Sequence, residues 1–187
     1  MEKLFRMTAH IIGLVLVVML LVTITTRSMA AFIATNANET KEKVTLKERE
    51  RQLDCLAINI YKEAGHEPFE GKVGVAQVTM NRVASTEFPD DVCQVVYQKS
   101  KGTQVVCQFS WYCDRVHKNR RVDEKAYDES YAVAKKVLLE GFKLEILNDA
   151  LFYHADYVDP NWRLDKVTKI GQHIFYKSRS KIDVAAL

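Results

Sequence analysis

The sequence predicts an α+β fold, mainly helical with a small antiparallel sheet. Three stretches carry apolar residues at steps of three and four, the period of a helix face. Short runs rich in β-branched and aromatic residues then cluster toward the C-terminal end. Helices and strands do not alternate, which argues against a doubly wound parallel sheet.

An N-terminal segment stands apart from this body. Between Arg6 and Arg27 lie twenty residues without charge, His10 excepted. As a helix at about 1.5 Å per residue they reach about 30 Å, the hydrocarbon thickness of a bilayer. Lys3 and Arg6 before the run predict a cytoplasmic N-terminus, with the body in the periplasm or outside the cell. A secretory signal peptide has the same features, and Ser28-Met-Ala30 resembles a small-x-small cleavage site. Arg27 just before it disfavours cleavage, so an uncleaved transmembrane signal-anchor is the expectation. A secreted body is the alternative. The expected organisation is a signal-anchor or signal peptide at 1–27, a polar linker at 28–51, a folded domain at 52–180 and a tail at 181–187. The linker, Thr35 to Arg51, has no apolar stripe to bury.

A chain of 187 residues suits one domain with an appendage, and 48% apolar content suffices for a core. Lys3, Arg6 and Arg27 against Glu2 supply two of the three net positive charges, which leaves the body close to neutral. Nucleic acid is therefore not indicated as a partner.

The first helix of the body is marked by Leu53, Leu56, Ala57, Ile60 and Ala64 on one face. Gly65, suited to a left-handed cap, and Pro68 end it. Glu63 lies on the edge of the apolar face and in the last turn. The negative end of the helix dipole there disfavours its anion and predicts a raised pKa, as a general acid needs. The structural alternative is a partly buried glutamate paired with a cation such as Arg82. A second helix, about Lys72 to Ala84, has the stripe Val73, Ala76, Met80 and Val83, with Val75 and Val78 outside it. Apolar on more than one face, it should be central to the core. Gln77 and Asn81 share a face of it, either capping a loop or lining a cleft beside Glu63.

Ser85 to Asp91 reads as a loop, Val92 to Tyr97 as a short apolar run, and Lys99 to Thr103 as a polar turn. Val105 to Trp111 predicts a strand in which Gln108 and Ser110 alternate with Phe109 and Trp111. Asp114 to Glu124 reads as charged loop. A third helix is predicted from about Asp123 to Glu140, with Tyr127, Tyr131, Ala134 and Leu138 as its stripe and Gly141 as its stop. Ala150–Tyr157 and Lys169–Lys177 are the remaining strand candidates.

All four cysteines, Cys55, Cys93, Cys107 and Cys113, follow the apolar segment. In an exported body two disulfides are expected, and three connectivities are open. The histidines include no His-Glu-x-x-His and no pair at i, i+4. His154 and His173 would converge only if their strands pair, which keeps a zinc amidase or peptidase as a rival. A lone tuned carboxylate suits a glycosidase in which the substrate supplies the nucleophile, since water-using glycosidases commonly need a second carboxylate.

The stretches also form ordered blocks. Tyr61-Lys-Glu-Ala-Gly-His-Glu-Pro-Phe-Glu-Gly-Lys-Val-Gly-Val-Ala-Gln-Val-Thr-Met-Asn-Arg-Val83 strongly resembles the signature of the cell-wall hydrolases related to spore-cortex-lytic enzymes. Phe88-Pro with Val92-Cys-Gln-Val-Val-Tyr97, Cys107-Gln-Phe-Ser-Trp111, Ala150 to Trp162 and Lys169 to Tyr176 match its later blocks in order. The family commonly has Glu-Ala-Arg-Gly-Glu where this chain has Glu63-Ala-Gly-His-Glu67. The resemblance implies a lysozyme-like fold and cleavage of the peptidoglycan glycan strand by lytic transglycosylation, leaving 1,6-anhydro ends. It implies Glu63 as the acid/base and Asn81, Gln108, Phe109, Ser110, Tyr153, His154 and Trp162 as cleft lining. Peptidoglycan and the membrane are the expected partners; a metal, a cofactor and an obligate protein partner are not implied. A muramidase using water and a wall-binding tether without activity are the other readings.

Overall fold

The computed structural model describes residues 2–100 and 105–179, without the side chains of 2–12, 30–31, 33–34, 36–44 and 119. Part of the expected turn at Lys99–Thr103 and the tail at 181–187 lie outside the described residues. The chain divides into two units, residues 1–48 and 49–187.

Helix α1 is Glu2–Ala64. In the first unit its side chains from Leu14 to Leu21 are exposed apolar groups. The hydroxyls of Thr23 and Thr26 donate one turn back, to the Leu20 carbonyl at 2.8 Å and the Val22 carbonyl at 2.9 Å. No helix is long and apolar enough to cross a membrane among the described residues. The span expected between Arg6 and Arg27 begins among residues whose side chains are not described.

The second unit opens with the last turns of α1 and continues with α2 (Phe69–Ala84), α3 (Val92–Val96), α4 (Ser110–Cys113), α5 (Arg115–Asn119) and α6 (Glu124–Glu140). A 3-10 turn (Glu145–Leu147) leads to β1 (Phe152–Ala155), β2 (Asp165–Ile170) and β3 (His173–Lys177). The sheet is antiparallel in the order β1-β3-β2. This is the α+β arrangement expected, with the sheet following the helices.

The apolar face of α1 is buried as its spacing requires: Leu53, Leu56, Ala57, Ile60 and Ala64 all lie in the core. Helix α2 is central, with Val73, Val75, Ala76 and Val78 fully enclosed. It begins at Phe69, earlier than the spacing predicts. Asp123 caps α6 by accepting from the Ala126 amide at 3.1 Å, and Gly141 ends it in the left-handed region at φ 70°. The buried face of α6 is Ala126, Ser130, Val133, Ala134 and Val137, and the expected tyrosine stripe forms its half-buried edge.

Four expectations need correction. Gly65 is not a left-handed cap: positive φ among the described glycines occurs at Gly141 and Gly171. A Cβ on Gly65 would lie 2.5 Å from the Tyr61 carbonyl oxygen, so bulk is what excludes a side chain there. Residues 105–111 are not a strand. Cys107 makes an isolated bridge with Lys99, and the chain then turns into α4, closed by the Cys107–Cys113 disulfide. The alternation is partly kept as burial: Phe109 and Trp111 are buried and Ser110 is exposed, while Gln108 is half-buried. The charged segment after Asp114 contains α5, because the Asp114 carboxylate accepts from the Val116 and His117 amides. The run Lys169–Lys177 is two strands, since Gly171 (φ 56°) turns the chain between β2 and β3. A side chain on Gly171 would also collide with the Glu67 carboxylate, which accepts from the Gln172 amide at 3.0 Å. The second disulfide, Cys55–Cys93, ties α1 to α3.

Candidate active site

Glu63 sits in the last turn of α1, facing a cleft between the α4–α5 segment and the sheet. Its surroundings begin with β1. Tyr153 Oη donates to Glu63 Oε2 at 3.0 Å. Burial raises the Glu63 pKa, while the Tyr153 hydrogen bond and the charge of Arg82 act in the opposite direction and do not cancel it. The raised pKa expected from the helix end thus has desolvation as its first cause. Burial also pushes the Tyr153 phenol well above its ordinary value, and the neighbouring Glu63 charge adds to this. Tyr153 therefore remains a donor.

Arg82, on α2, completes the buried base of the site. Its Nε donates to the Leu151 carbonyl at 2.8 Å. The guanidinium carbon lies 5.2 Å from the ring centres of Phe88 and Phe109 and 5.9 Å from that of Phe152. With its amide oxygen turned inward, Gln108 accepts from Arg82 Nη1 and Nη2, each at 3.2 Å. One buried cation thus organises the α4 segment, the start of β1 and the electrostatics of Glu63.

A second buried chain fixes the outer wall. Trp111 Nε1 donates to Asn59 Oδ1 at 3.0 Å, Asn59 Nδ2 donates to Thr79 Oγ1 at 3.3 Å, and Thr79 Oγ1 donates to the Val75 carbonyl at 3.0 Å. The wall of the cleft is thereby pinned to both core helices.

Of the residues expected in the cleft, Gln108, Phe109, Ser110, Tyr153, His154 and Trp162 line one cavity of about 590 Å³ with Glu63. Asn81 does not join them. Its amide donates to the Leu147 and Ala150 carbonyls at 2.8 Å each, holding the loop before β1. Gln77 likewise exchanges hydrogen bonds with Leu144, to its carbonyl at 3.0 Å and from its amide at 2.7 Å. Both amides of α2 cap a loop. Trp162 stands over the outer face of the sheet, 5.4 Å from the His154 ring centre and 5.8 Å from that of Tyr176.

The two histidines of the zinc reading do not converge. Strands β1 and β3 pair, but the register sets Ala155 opposite His173 and His154 opposite Ile174. A one-residue offset puts the two side chains on opposite faces. Both ring nitrogens of His154 have partners, the Ala155 carbonyl at 2.8 Å and Tyr176 Oη at 2.9 Å. No group of three metal-binding side chains occurs among the described residues.

Residues not singled out as cleft lining also border it, among them Lys62, Phe152 and His117. A second cavity of about 460 Å³ adjoins the first at Lys62, Glu63 and His117. Glu63 therefore stands where the two cavities adjoin, between two halves of an extended groove.

Residues 66–176, more than half of the chain, match the cell wall hydrolase family; the span begins three residues after Glu63. The spore cortex-lytic enzyme of Bacillus cereus is 29% identical over 132 residues, 68% of this chain and 45% of that protein. The Bacillus subtilis spore cortex-lytic enzyme is 27% identical over 124 residues, 64% of this chain and 35% of that protein. The chain spans less than half the length of these curated relatives. Among solved structures, the catalytic domain of the Bacillus cereus SleB protein superposes with a TM-score of 0.50 at 27% identity, over 68% of this chain and 91% of that one. The catalytic domain of the germination-specific lytic transglycosylase SleB from Bacillus anthracis gives 0.51 at 26% identity, over 67% and 93%. The mostly helical body with its three-stranded antiparallel sheet is the architecture of these domains. On the match over residues 66–176, the chain belongs to the cell wall hydrolase family.

Proposed function

We propose that this protein cleaves the peptidoglycan glycan strand between N-acetylmuramic acid and N-acetylglucosamine as a lytic transglycosylase, with Glu63 as its acid and base. The observation that carries this reading is the half-buried Glu63 carboxyl, whose pKa is raised by desolvation, set where two cavities adjoin. Protonated Glu63 donates to the glycosidic oxygen as the bond from C1 breaks. The muramyl 6-hydroxyl attacks C1, and its proton passes to the Glu63 carboxylate. The product carries a 1,6-anhydro ring, and the acid form is restored.

The other carboxylates of the groove support a lone acid/base. Asp114 accepts from the Val116 and His117 amides and pairs with His117 Nδ1 at 2.7 Å. Glu67 holds the Gln172 amide and Asp123 caps α6. Each accepts from a backbone amide, a structural role that accounts for it without chemistry. Gln108, Phe109, Ser110, Tyr153, His154 and Trp162 are the proposed substrate-contacting wall, with aromatic faces suited to sugar rings.

The proposal extends to placement. Residues 1–27 serve as an anchor or export signal, with the body on the outer side of the cytoplasmic membrane. The support is the exposed apolar run from Leu14 to Leu21 behind Lys3 and Arg6.

The test is clearing of a peptidoglycan suspension by the full-length chain and by Glu63→Gln. The proposal predicts clearing by the first and a loss of about 100-fold or more in the second. Equal clearing by both would remove Glu63 from the chemistry.

A further inference from the structure

The two halves of the groove differ in chemistry. The half toward the sheet presents the aromatic rings of Phe152 and Trp162, with Phe109 and Trp111 buried behind it. The half beyond Glu63 is charged, with Lys62, Arg120 and Arg121 beside Glu67 and Asp123. Its acidic side chains are turned to backbone amides: Glu67 Oε2 accepts from Gln172 N at 3.0 Å, and Asp123 Oδ1 accepts from Ala126 N at 3.1 Å. Arg120 and Arg121 are exposed and, among the described residues, form no ion pair with a carboxylate. Lys62 Nζ is directed onto the His117 and Lys118 carbonyls at 2.7 and 3.4 Å. The Lys62 pKa is lowered, first by burial and then by the charge of Arg120, which marks these cations as near neighbours. Glu67 and Asp123 keep their charge while holding these amides, but neither pairs with the two guanidinium groups, whose forks of donors stay open to an anionic ligand.

We propose that Arg120 and Arg121, at this end of the groove, bind the free carboxylates of the peptide stem on the muramyl residue and make the protein selective for stem-bearing glycan. This rests on the glycan-cleavage reading above. A glycan strand offers both parts of the match, sugar rings for the aromatic half and carboxylates for the two open arginines. The two guanidinium groups present planar forks of donors that fit carboxylates in pairs.

The test uses the full-length chain and three uncross-linked glycan strands: with intact stems, with stems removed by an amidase, and with stem carboxylates converted to amides. Intact strands are expected to be cut with kcat/KM about tenfold higher than either other strand, the worth of one charge-assisted hydrogen bond. In the double variant Arg120→Gln, Arg121→Gln that ratio falls toward one, and in Arg120→Lys, Arg121→Lys it is partly kept. Both arginines are exposed, so the melting temperature should not move. Cleavage of all three strands at equal efficiency by the unaltered chain would overturn this inference alone, as would a double variant that keeps the full ratio. Cleavage of none would overturn the glycan-cleavage reading and this inference together.

Discussion

Tyr153 and Glu63 lie 90 positions apart in sequence, yet the Tyr153 hydroxyl donates to Glu63 Oε2 at 3.0 Å. The bond joins strand β1 to the end of α1. It favours the carboxylate, against the burial that favours the acid. Tyr153→Phe removes the opposing influence, so the Glu63 pKa should rise further. If the acid form starts the reaction, the alkaline limb of the pH–activity profile should move to higher pH. The cost in stability should be about 1 kcal/mol, one hydrogen bond. A pH–rate profile of the variant beside the unaltered chain measures the shift, and movement to lower pH would contradict the assignment.

Glu63 should also be a liability for stability. An acid whose folded pKa lies above its unfolded one binds more protons when folded, so the folded state loses stability as pH rises. Below the ordinary carboxylate range both states are protonated and no penalty exists. The penalty grows as pH rises through that range and is complete above the raised Glu63 value. Glutamine mimics the neutral acid at every pH. Glu63→Gln should therefore melt higher than the unaltered chain at neutral pH, with the gain vanishing in acid. Thermal unfolding at a series of pH values checks this; a lower melting temperature at neutral pH would contradict it.

Arg82 should be the most costly position to change in the site. It is 4% exposed, bonded to Leu151 and Gln108, and surrounded by three phenylalanine rings. Arg82→Lys lacks the fork that meets these partners, and a loss of about 3 kcal/mol is expected on denaturant unfolding. The substitution should lower activity as well, because the same fork positions the Gln108 wall. An unfolding midpoint within error of the unaltered chain would refute this role.

The two disulfides should separate stability from activity. Cys55–Cys93 closes 38 residues of sequence separation, and its removal by paired Cys→Ala substitution should cost about 4 kcal/mol by loop-closure entropy. Cys107–Cys113 closes a separation of 6 and should cost less. That short loop carries Gln108, Phe109 and Ser110, so its removal should raise KM more than it lowers the melting point. Paired variants assayed for both quantities distinguish the two bridges.

How far the sequence reaches depends on whether the determining contact is local. The buried face from Leu53 to Ala64, the cap at Asp123 and the stop at Gly141 follow from neighbours within a few residues, and the spacing states them. Strand β2 is not legible, because Asp165-Lys-Val-Thr-Lys-Ile mixes charge into a short edge strand. Its separation from β3 rests on Gly171, which the pattern alone reads as part of one strand. Gln77 and Asn81 were placeable on a shared face but not against a partner, since Leu144, Leu147 and Ala150 come from a loop more than sixty residues away. The cysteine pairing was open for the same reason. Arg82 was visible as a cation able to meet Glu63; the three rings that hold it gather only in the fold. Glu63 itself was marked by its helix position, while the burial that raises its pKa comes from β1 and the α4 segment.

The most direct measurement is mass spectrometry of the soluble muropeptides released from purified peptidoglycan by the full-length chain. Glu63 acting alone, with the muramyl 6-hydroxyl as nucleophile, predicts 1,6-anhydro-muramyl ends, absent with Glu63→Gln. Reducing ends would assign the attack to water, and free stem peptides with intact glycan would contradict glycan cleavage altogether.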